Sequence, residues 1–308
     1  MNWRSVPLLG GLMLSGYALA QPFGGLVNIT AETDADHFTA LRAEAAGLFG
    51  YMSPWQFFGV AARTTGYSQQ GWHQNASGVS VLWRDQVRDT LAGVNAEAGI
   101  VEFGGRTRPV GDVSWSLRPA PATGVELLAA AGLVETKAAI EQGIGYSFWA
   151  GSVEQTLAER LTATALVGWQ PFTDGNDRVH FRARLIWDAL PEQGINLQAR
   201  WRQYRSSKTD VGGAYFDPES YQQWLALAGF RKRLSGWTAS GALGAGQEFI
   251  RNSGTTTQPT YLAELRLEGP VAGDARLAVQ ALYNRSAGFS NSSDYWWSLL
   301  SVTLIAPF

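Results

Sequence analysis

Long segments in which apolar and polar side chains alternate constrain this chain more than any other feature of its sequence. In the segment 178–187, RVHFRARLIW, a polar residue occupies every second position up to Arg184, and apolar residues lie between them. The segment 194–205, GINLQARWRQYR, alternates in the same way. A period of two is the pattern of a β-strand with one polar and one apolar face. Segments of about ten residues also match the length that a tilted strand needs to cross a bilayer.

The low content of charged residues indicates that the apolar faces meet lipid rather than a protein core. Charged residues make up 16% of the chain, whereas soluble domains contain about 25%. A soluble sandwich also alternates, but arginines stacked on one face need water around them. We therefore predict an all-β fold, a closed antiparallel transmembrane β-barrel, because an open sheet edge in lipid would leave backbone groups unpaired. Aromatic residues near the ends of the apolar faces fit the girdles of such barrels, and they are Trp115, Trp169, Trp187, Trp201, Trp237 and Tyr283.

The first residues have the organisation of a secretory signal peptide. Arg4 precedes an apolar run over 6–17, and Ala18 and Ala20 form a small-residue cleavage site. We predict that residues 1–20 are removed after Ala20, which leaves residues 21–308 as a single barrel domain. At roughly 18 residues for each strand with its connection, that length predicts about 16 strands, within a range of about 14 to 18.

The chain ends on a strand-like segment, 294–308, with the sequence DYWWSLLSVTLIAPF and an aromatic carboxyl terminus. A secreted chain with such an end is typical of barrels of the bacterial outer membrane. We therefore expect outer-membrane lipid and the barrel assembly machinery as partners, with Phe308 as the assembly signal. Deleting Phe308 should lower membrane insertion.

The densest polar cluster of the sequence is predicted on two neighbouring strands. Since adjacent strands lie about 4.8 Å apart, the two rows would form one patch that lines a pore and binds a sugar polymer. Arginine suits such a patch because its planar fork of donors pairs with carboxylates. The alternative is that these arginines pair with the lumen acids Glu248, Glu264 and Glu268 and stiffen the barrel. The predicted pore-lining residues are Arg178, His180, Arg182 and Arg184 on one strand, Asn196, Gln198, Arg200 and Arg202 on the next, and Tyr221 and Trp224 as rings for sugar stacking.

Little in the sequence indicates catalysis or metal binding. The chain has three histidines, His37, His73 and His180, and no cysteine. His73 has Ser77 nearby, so an outer-membrane lipid hydrolase is a less favoured alternative. A formal charge of −2 gives no attraction to nucleic acid. We expect no enzymatic activity, no cofactor, no metal and no nucleic-acid partner.

Three further segments resemble a known family. AYFDPESY (214–221) is similar to a Tyr-Phe-x-Pro-x-x-Tyr element of bacterial exopolysaccharide export porins, and VETKAAIEQGIGYSFW (134–149) with FTDGNDR (172–178) resembles the same barrels. That family includes the outer-membrane subunit of cellulose synthase and the poly-N-acetylglucosamine porin. The resemblance implies a passive conduit for an exported polysaccharide.

The chain departs from that family in one respect. Those porins carry a long tetratricopeptide scaffold before the barrel, and no helical repeat of that period is found in this sequence. If the resemblance holds, we expect the periplasmic scaffold to be a separate chain. A general small-solute porin and a structural barrel of a surface assembly remain alternative functions.

Overall fold

A computed structural model describes residues 22–286 and 295–308, so the predicted signal peptide lies outside the described residues. The described chain forms one closed barrel of 16 antiparallel strands, in which each strand pairs with its neighbours in sequence. This confirms the predicted fold and strand number. The strands are β1 (Gly24–Asp34), β2 (Thr39–Ser53), β3 (Gln56–Gln69), β4 (Trp72–Gln86), β5 (Gly93–Phe103), β6 (Arg106–Ala120), β7 (Thr123–Leu133), β8 (Gly145–Ala158), β9 (Leu161–Pro171), β10 (Asp177–Leu190), β11 (Ile195–Ser206), β12 (Ser220–Leu234), β13 (Trp237–Arg251), β14 (Thr255–Ala272), β15 (Ala275–Arg285) and β16 (Trp296–Pro307).

The first and last strands close the barrel. They pair without interruption from Gly24 opposite Pro307 to Asp34 opposite Trp297. The backbone N–H of Phe308 donates to the carbonyl of Phe23 at 2.8 Å and extends this seam by one residue. Closure leaves no sheet edge in the bilayer, where unpaired backbone groups cost several kcal/mol each. Within 22–286 and 295–308, none of the helices has the length and apolar character needed to span a membrane.

The exposure of side chains alternates along the strands as the sequence predicts. On β10, Val179 is 54% exposed on the outer face, whereas the adjacent His180 is 8% exposed on the inner face. The outer face is apolar around the whole barrel, with Val60, Val81 and Leu243 among its exposed residues. An apolar band of this extent is far larger than any patch that a soluble monomer leaves in water. Hydrocarbon is therefore the medium that covers it.

Aromatic side chains form two girdles on the outer face, one toward each end of the barrel. This arrangement places the rings at the two membrane interfaces, where an amphipathic ring is favoured. One girdle lies toward the end that carries the chain termini, and it contains Phe49, Phe58, Trp83, Trp115, Trp187 and Phe230. The other lies toward the opposite end, and it contains Trp149, Trp169, Trp224, Tyr261 and Tyr283.

The two ends of the barrel differ in their connections. The terminal rim, which carries the chain ends, has short connections such as 235–236 and 191–194. The loop rim, at the other end, carries the longer connections 134–144 and 207–219. Long loops of outer-membrane barrels face the cell exterior, so we predict that the loop rim is the outer one.

The connection 134–144 folds into the barrel instead of projecting from it. It contains the only α-helix of the described residues, α1 (Lys137–Gln142), whose first turn is capped by the Thr136 hydroxyl. Gly143 ends the helix at a φ of 73°, a conformation that suits glycine, and the chain then returns to β8. Ile140 is 2% exposed and packs against the wall formed by β2–β5, in a cluster with Phe38, Ala40, Tyr67, Ala76, Val101, Phe103 and Leu133.

The connection 207–219 joins this helix at the loop rim, and we call the two connections the lid. The Thr136 hydroxyl donates to the Ala214 carbonyl at 2.5 Å. Tyr215 stacks on Phe172 with ring centroids 4.8 Å apart. Since α1 contacts β3 on one side and Ala214 on the other, the lid spans the mouth between opposite walls. The sequence did not predict this element.

Candidate functional site: the barrel lumen

The inner face of the barrel carries two charged walls that differ in composition. The arginine wall is the inner face of β10 and β11, with Arg178, Arg182, Arg184, Arg200 and Arg202 and no acidic residue between Arg178 and Arg184 or between Asn196 and Tyr204. The mixed wall is the inner face of β1–β6, which carries both acids and arginines, namely Glu32, Arg42, Glu44, Arg63, Arg84, Glu97 and Asp112.

Arginines face arginines across the β10–β11 pair. Arg182 is the register partner of Arg202, and Arg184 is the register partner of Arg200. Directly opposite residues have Cβ atoms about 5 Å apart, and like charges at such positions destabilise the pairing. Side-chain contacts must therefore offset this repulsion, or a bound anion must.

Three of the five arginines have an anionic or phenolic partner. Arg200 is held by the Glu264 carboxylate in two contacts, of 2.5 and 3.1 Å. Arg178 lies 3.4 Å from the Asp217 carboxylate in the lid. Arg202 donates to the Tyr221 hydroxyl at 2.8 Å, which in turn donates to Glu248 at 2.6 Å. The alternative that the arginines pair with lumen acids therefore describes part of this wall.

The other two arginines have no acidic partner among the described residues. Arg184 donates to the Gln198 side-chain oxygen at 2.9 Å, and Arg200 donates to the same atom at 2.8 and 3.0 Å. Arg182 has no hydrogen bond or ion pair within the described part of the chain, and its guanidinium lies 6.0 Å from the centre of the Phe148 ring. Neither side chain forms an ion pair with an acidic residue of the described lumen.

On the mixed wall, arginines lie between carboxylates. Arg63 is 3.1 Å from Glu44 on the preceding strand and also contacts Glu97 on a strand beyond it. Arg42 is 2.9 Å from Glu32. Their side chains are between 16% and 24% exposed, so these are partly buried pairs. Such pairs help to keep a polar wall folded, because each arginine lies beside a carboxylate.

A cavity of about 660 Å³ lies in the lumen below the lid. It lies between the mixed wall, the lid and the lid end of the arginine wall. Its lining includes Arg63 and Asp112 from the mixed wall, Arg178 from the arginine wall, and Tyr215 and Phe216 from the lid.

An ion pair fastens the lid to the mixed wall. Glu135, just before α1, accepts from one nitrogen of Arg42 at 2.6 and 2.7 Å, and the Tyr67 hydroxyl donates to it at 3.2 Å. Arg106 and Arg108 donate to backbone carbonyls at the end of α1. Burial raises the pKa of the Glu135 carboxyl, and the positive charge of Arg42 opposes this effect without cancelling it.

The structure corrects the predicted role of Trp224. Its side chain is 48% exposed on the outer face and stacks on Trp201 at 5.2 Å, so it belongs to an aromatic girdle and does not line the pore. The period-two pattern implies this, because Tyr221 and Trp224 are three residues apart in one strand and must point to opposite faces.

Several other predicted residues face inward but are covered by their neighbours. Tyr221 is 1% exposed, below Arg202 and Glu248. His180 is 8% exposed, hydrogen-bonds Gln170 at 2.9 Å and packs against Phe148 and Tyr204. Gln198 and Asn196 bond to each other at 2.7 Å. These groups pack behind the arginines, and direct contact of His180 or Tyr221 with a polymer stays a prediction.

Sequence reasoning missed the mixed wall and the fastening of the lid. Arg42 and Glu44 are two residues apart on β2, a spacing that places both on the inner face. A helical signal was also present, because Thr136 precedes a run of good helix formers that ends at Gly143. The partners of these residues come from distant strands, and the sequence does not reveal them.

Comparison with known proteins gives the fold. No family model matches the chain, and no curated protein matches it either. Among solved structures, a bacterial polysaccharide outer membrane secretin is similar with a TM-score of 0.65 and 13% identity, covering 92% of this chain and 98% of that one. CdiB from Acinetobacter baumannii gives a TM-score of 0.51 and 9% identity, covering 93% of this chain and 60% of that one.

The outer membrane protein OprD from Pseudomonas aeruginosa gives a TM-score of 0.45 and 11% identity over 93% of this chain and 94% of that one. At these identities the likeness is one of fold. The closed barrel, its apolar outer face and its two girdles make this chain an outer-membrane β-barrel, located in the bacterial outer membrane.

Proposed function

We propose that this barrel is a passive outer-membrane channel whose cargo is a saccharide chain. The observation that carries the proposal is the cavity of about 660 Å³ in the lumen, which lies between the mixed wall, the lid and Arg178 at the lid end of the arginine wall. A barrel with a purely structural role gains stability by filling its interior. A space whose lining combines charged and hydroxyl groups with apolar ones instead suits a solute such as a sugar, which has both polar and C–H surfaces.

The saccharide cargo is supported by the lid sequence and by the fold comparison. The YFDPESY segment, which resembles an element of export porins, lies at the lid end of the arginine wall. Its Phe216 carbonyl accepts a hydrogen bond from Arg178, and Phe216 packs edge-on against Tyr221 at 6.1 Å. The similar solved barrel with a TM-score of 0.65 is itself a polysaccharide outer membrane secretin. The proposed separate periplasmic scaffold stays a prediction.

Two measurements test this function. The purified full chain in planar lipid bilayers should produce single-channel currents, and a channel that never conducts would leave only a structural role. In the source cells, loss of the chain should trap polysaccharide in the periplasm and remove it from the surface. Unchanged surface polysaccharide together with slower uptake of small sugars would instead identify a small-solute porin, the function favoured if the lid keeps the mouth too narrow for a polymer.

A further inference from the structure

We propose that the arginine wall is a binding site for a saccharide that carries an oxyanion, with Arg182 and Arg184 as the residues that contact the carboxylate, sulfate or phosphate. This inference rests on the proposed channel function, because the cargo must enter the lumen to reach these side chains. It adds the charge of the cargo and the place where that charge is bound.

The first argument is the repulsion built into the wall. Arg182 opposite Arg202 and Arg184 opposite Arg200 are two successive inward-facing pairs of like charge. Such pairs destabilise a sheet. The mixed wall also has a like-charged pair, Glu97 opposite Asp112 on β5 and β6, but there Arg63 contacts Glu97 and supplies the opposite charge. An oxyanion bound between the arginines would remove the repulsion.

The second argument is a surplus of hydrogen-bond donors. Each guanidinium has five N–H groups and no acceptor. Gln198 supplies a single oxygen to both Arg184 and Arg200. Among the described residues, Arg182 has no hydrogen-bond acceptor, and the Nε of Arg202 is buried without one. The missing partners are acceptors, and an oxyanion presents several of them in the planar geometry that arginine prefers.

The third argument distinguishes Arg182 and Arg184 from the other arginines of the wall. The guanidinium of Arg178 is already packed over three rings, at 4.9 to 5.2 Å from their centres, and Arg200 is occupied by Glu264. Arg182 and Arg184 lie two residues apart on β10, which is about 7 Å along a strand. This spacing lets both contact one anionic sugar, and the Phe148 ring under Arg182 offers an apolar surface for the sugar's C–H face.

The fourth argument is that this positive charge is local. The full sequence has a formal charge of −2, and the mixed wall opposite contains Glu44, Glu97 and Asp112. These arginines therefore do not create a positive field throughout the lumen. An anionic solute would be attracted to one wall and would meet carboxylates on the other, so the site can select as well as attract.

The test uses the full chain in planar bilayers with trigalacturonate as the anionic probe and maltotriose as the neutral one. We expect trigalacturonate to block the single-channel current at concentrations where maltotriose does not, and excess inorganic sulfate to relieve the block. The double variant Arg182→Gln with Arg184→Gln should weaken the block about a hundredfold, which is about tenfold for each of the two charge-assisted contacts that it removes. Equal block by both sugars, or an unchanged block in the double variant, would overturn the inference.

Two control variants separate a site from a general charge effect. Arg118→Gln also removes a positive charge, from an arginine paired with Glu154 at 3.1 Å, and should leave the block unchanged. Arg182→Lys keeps the charge but loses the planar fork, so it should keep the ion selectivity while weakening the block. A block weakened equally by Arg118→Gln would overturn the proposed site.

The heat-modifiable mobility of the folded barrel in SDS gels checks that each variant has assembled. A wild-type chain that assembles but does not conduct would refute the channel itself. A chain that conducts without discriminating between the sugars would refute only the oxyanion site.

Discussion

Arg63 and Arg182 occupy equivalent inward positions on two strands of one barrel, but their surroundings differ. Arg63 on the mixed wall lies between Glu44 and Glu97, whereas Arg182 on the arginine wall faces Arg202 and has no acidic partner among the described residues. Removing an arginine from between two acids leaves both carboxylates without an opposite charge. Removing an arginine from an arginine pair relieves the repulsion between the two. The same residue type thus stabilises the barrel on one wall and is available for binding on the other.

The sharpest test of this comparison is a pair of matched substitutions. Arg63→Leu should lower the free energy of unfolding by about 3 kcal/mol, because it leaves two partly buried carboxylates unpaired. Arg182→Leu should leave that free energy unchanged or raise it slightly. Urea unfolding of the barrel in lipid vesicles, followed by tryptophan fluorescence, measures both. Equal losses for the two variants would mean that both walls are structural.

Breaking the ion pair that holds the lid on the mixed wall should have the next largest effect, on the opening of the lid. Glu135→Ala removes the acceptor of Arg42 and Tyr67, and charge-assisted contacts of this kind contribute about 1.5–3 kcal/mol. We expect the population of open lids to rise about tenfold and the mean conductance to increase. Single-channel recording checks this, with Glu141→Ala on the same connection as the control. That control leaves intact the backbone carbonyl of residue 141, which Arg106 contacts.

A substitution of Trp224 tests whether its ring lies on the outer face of the barrel. Because its ring lies on the outer face against Trp201, Trp224→Ala should cost about 1 kcal/mol of stability in the membrane through lost ring packing. It should leave conductance and the block by trigalacturonate unchanged. A changed block would mean that Trp224 lines the pore, as the sequence analysis predicted.

The pH dependence of the lid should be the smallest effect. The raised pKa of Glu135 means that the closed lid binds the proton more tightly than an open one, in which the carboxyl would meet water. Lowering the pH therefore favours the closed lid. Because the pKa of Glu135 is raised, the conductance should begin to fall on acidification while the pH is still above about 4.3, the ordinary pKa of glutamate. Glu135→Gln, which mimics the protonated form, should remove this step. A conductance that rises on acidification would show that Arg42 outweighs burial.

Much of the fold is readable from local sequence. The alternation in 178–187 and 194–205 gives the inner and outer faces of β10 and β11, because successive side chains of a strand point to opposite sides whatever the strand pairs with. The strand number follows from the length of the chain, because each strand with its connection takes roughly 18 residues. The assignment of Trp224 to the pore failed because it ignored that parity.

The candidate site depends on contacts that no local pattern contains. Glu264 reaches Arg200 from β14, and Glu135 reaches Arg42 across the mouth of the barrel. His180 and Tyr221 sit on the predicted face but are covered by rings and acids from other strands. Whether an inward residue is free or covered is decided by these long-range neighbours.

The sequence by itself determined that this chain is a barrel in a membrane and that its arginines point inward, because period two and side-chain polarity are properties of each strand alone. Only the tertiary structure decided which arginines are neutralised, that the segment 134–144 folds inward as a lid, and that two arginines on β10 have no acidic partner among the described residues. The physical reason is that charge pairing and covering act over a few ångströms between side chains that are distant in the chain, so they exist only after the barrel has closed.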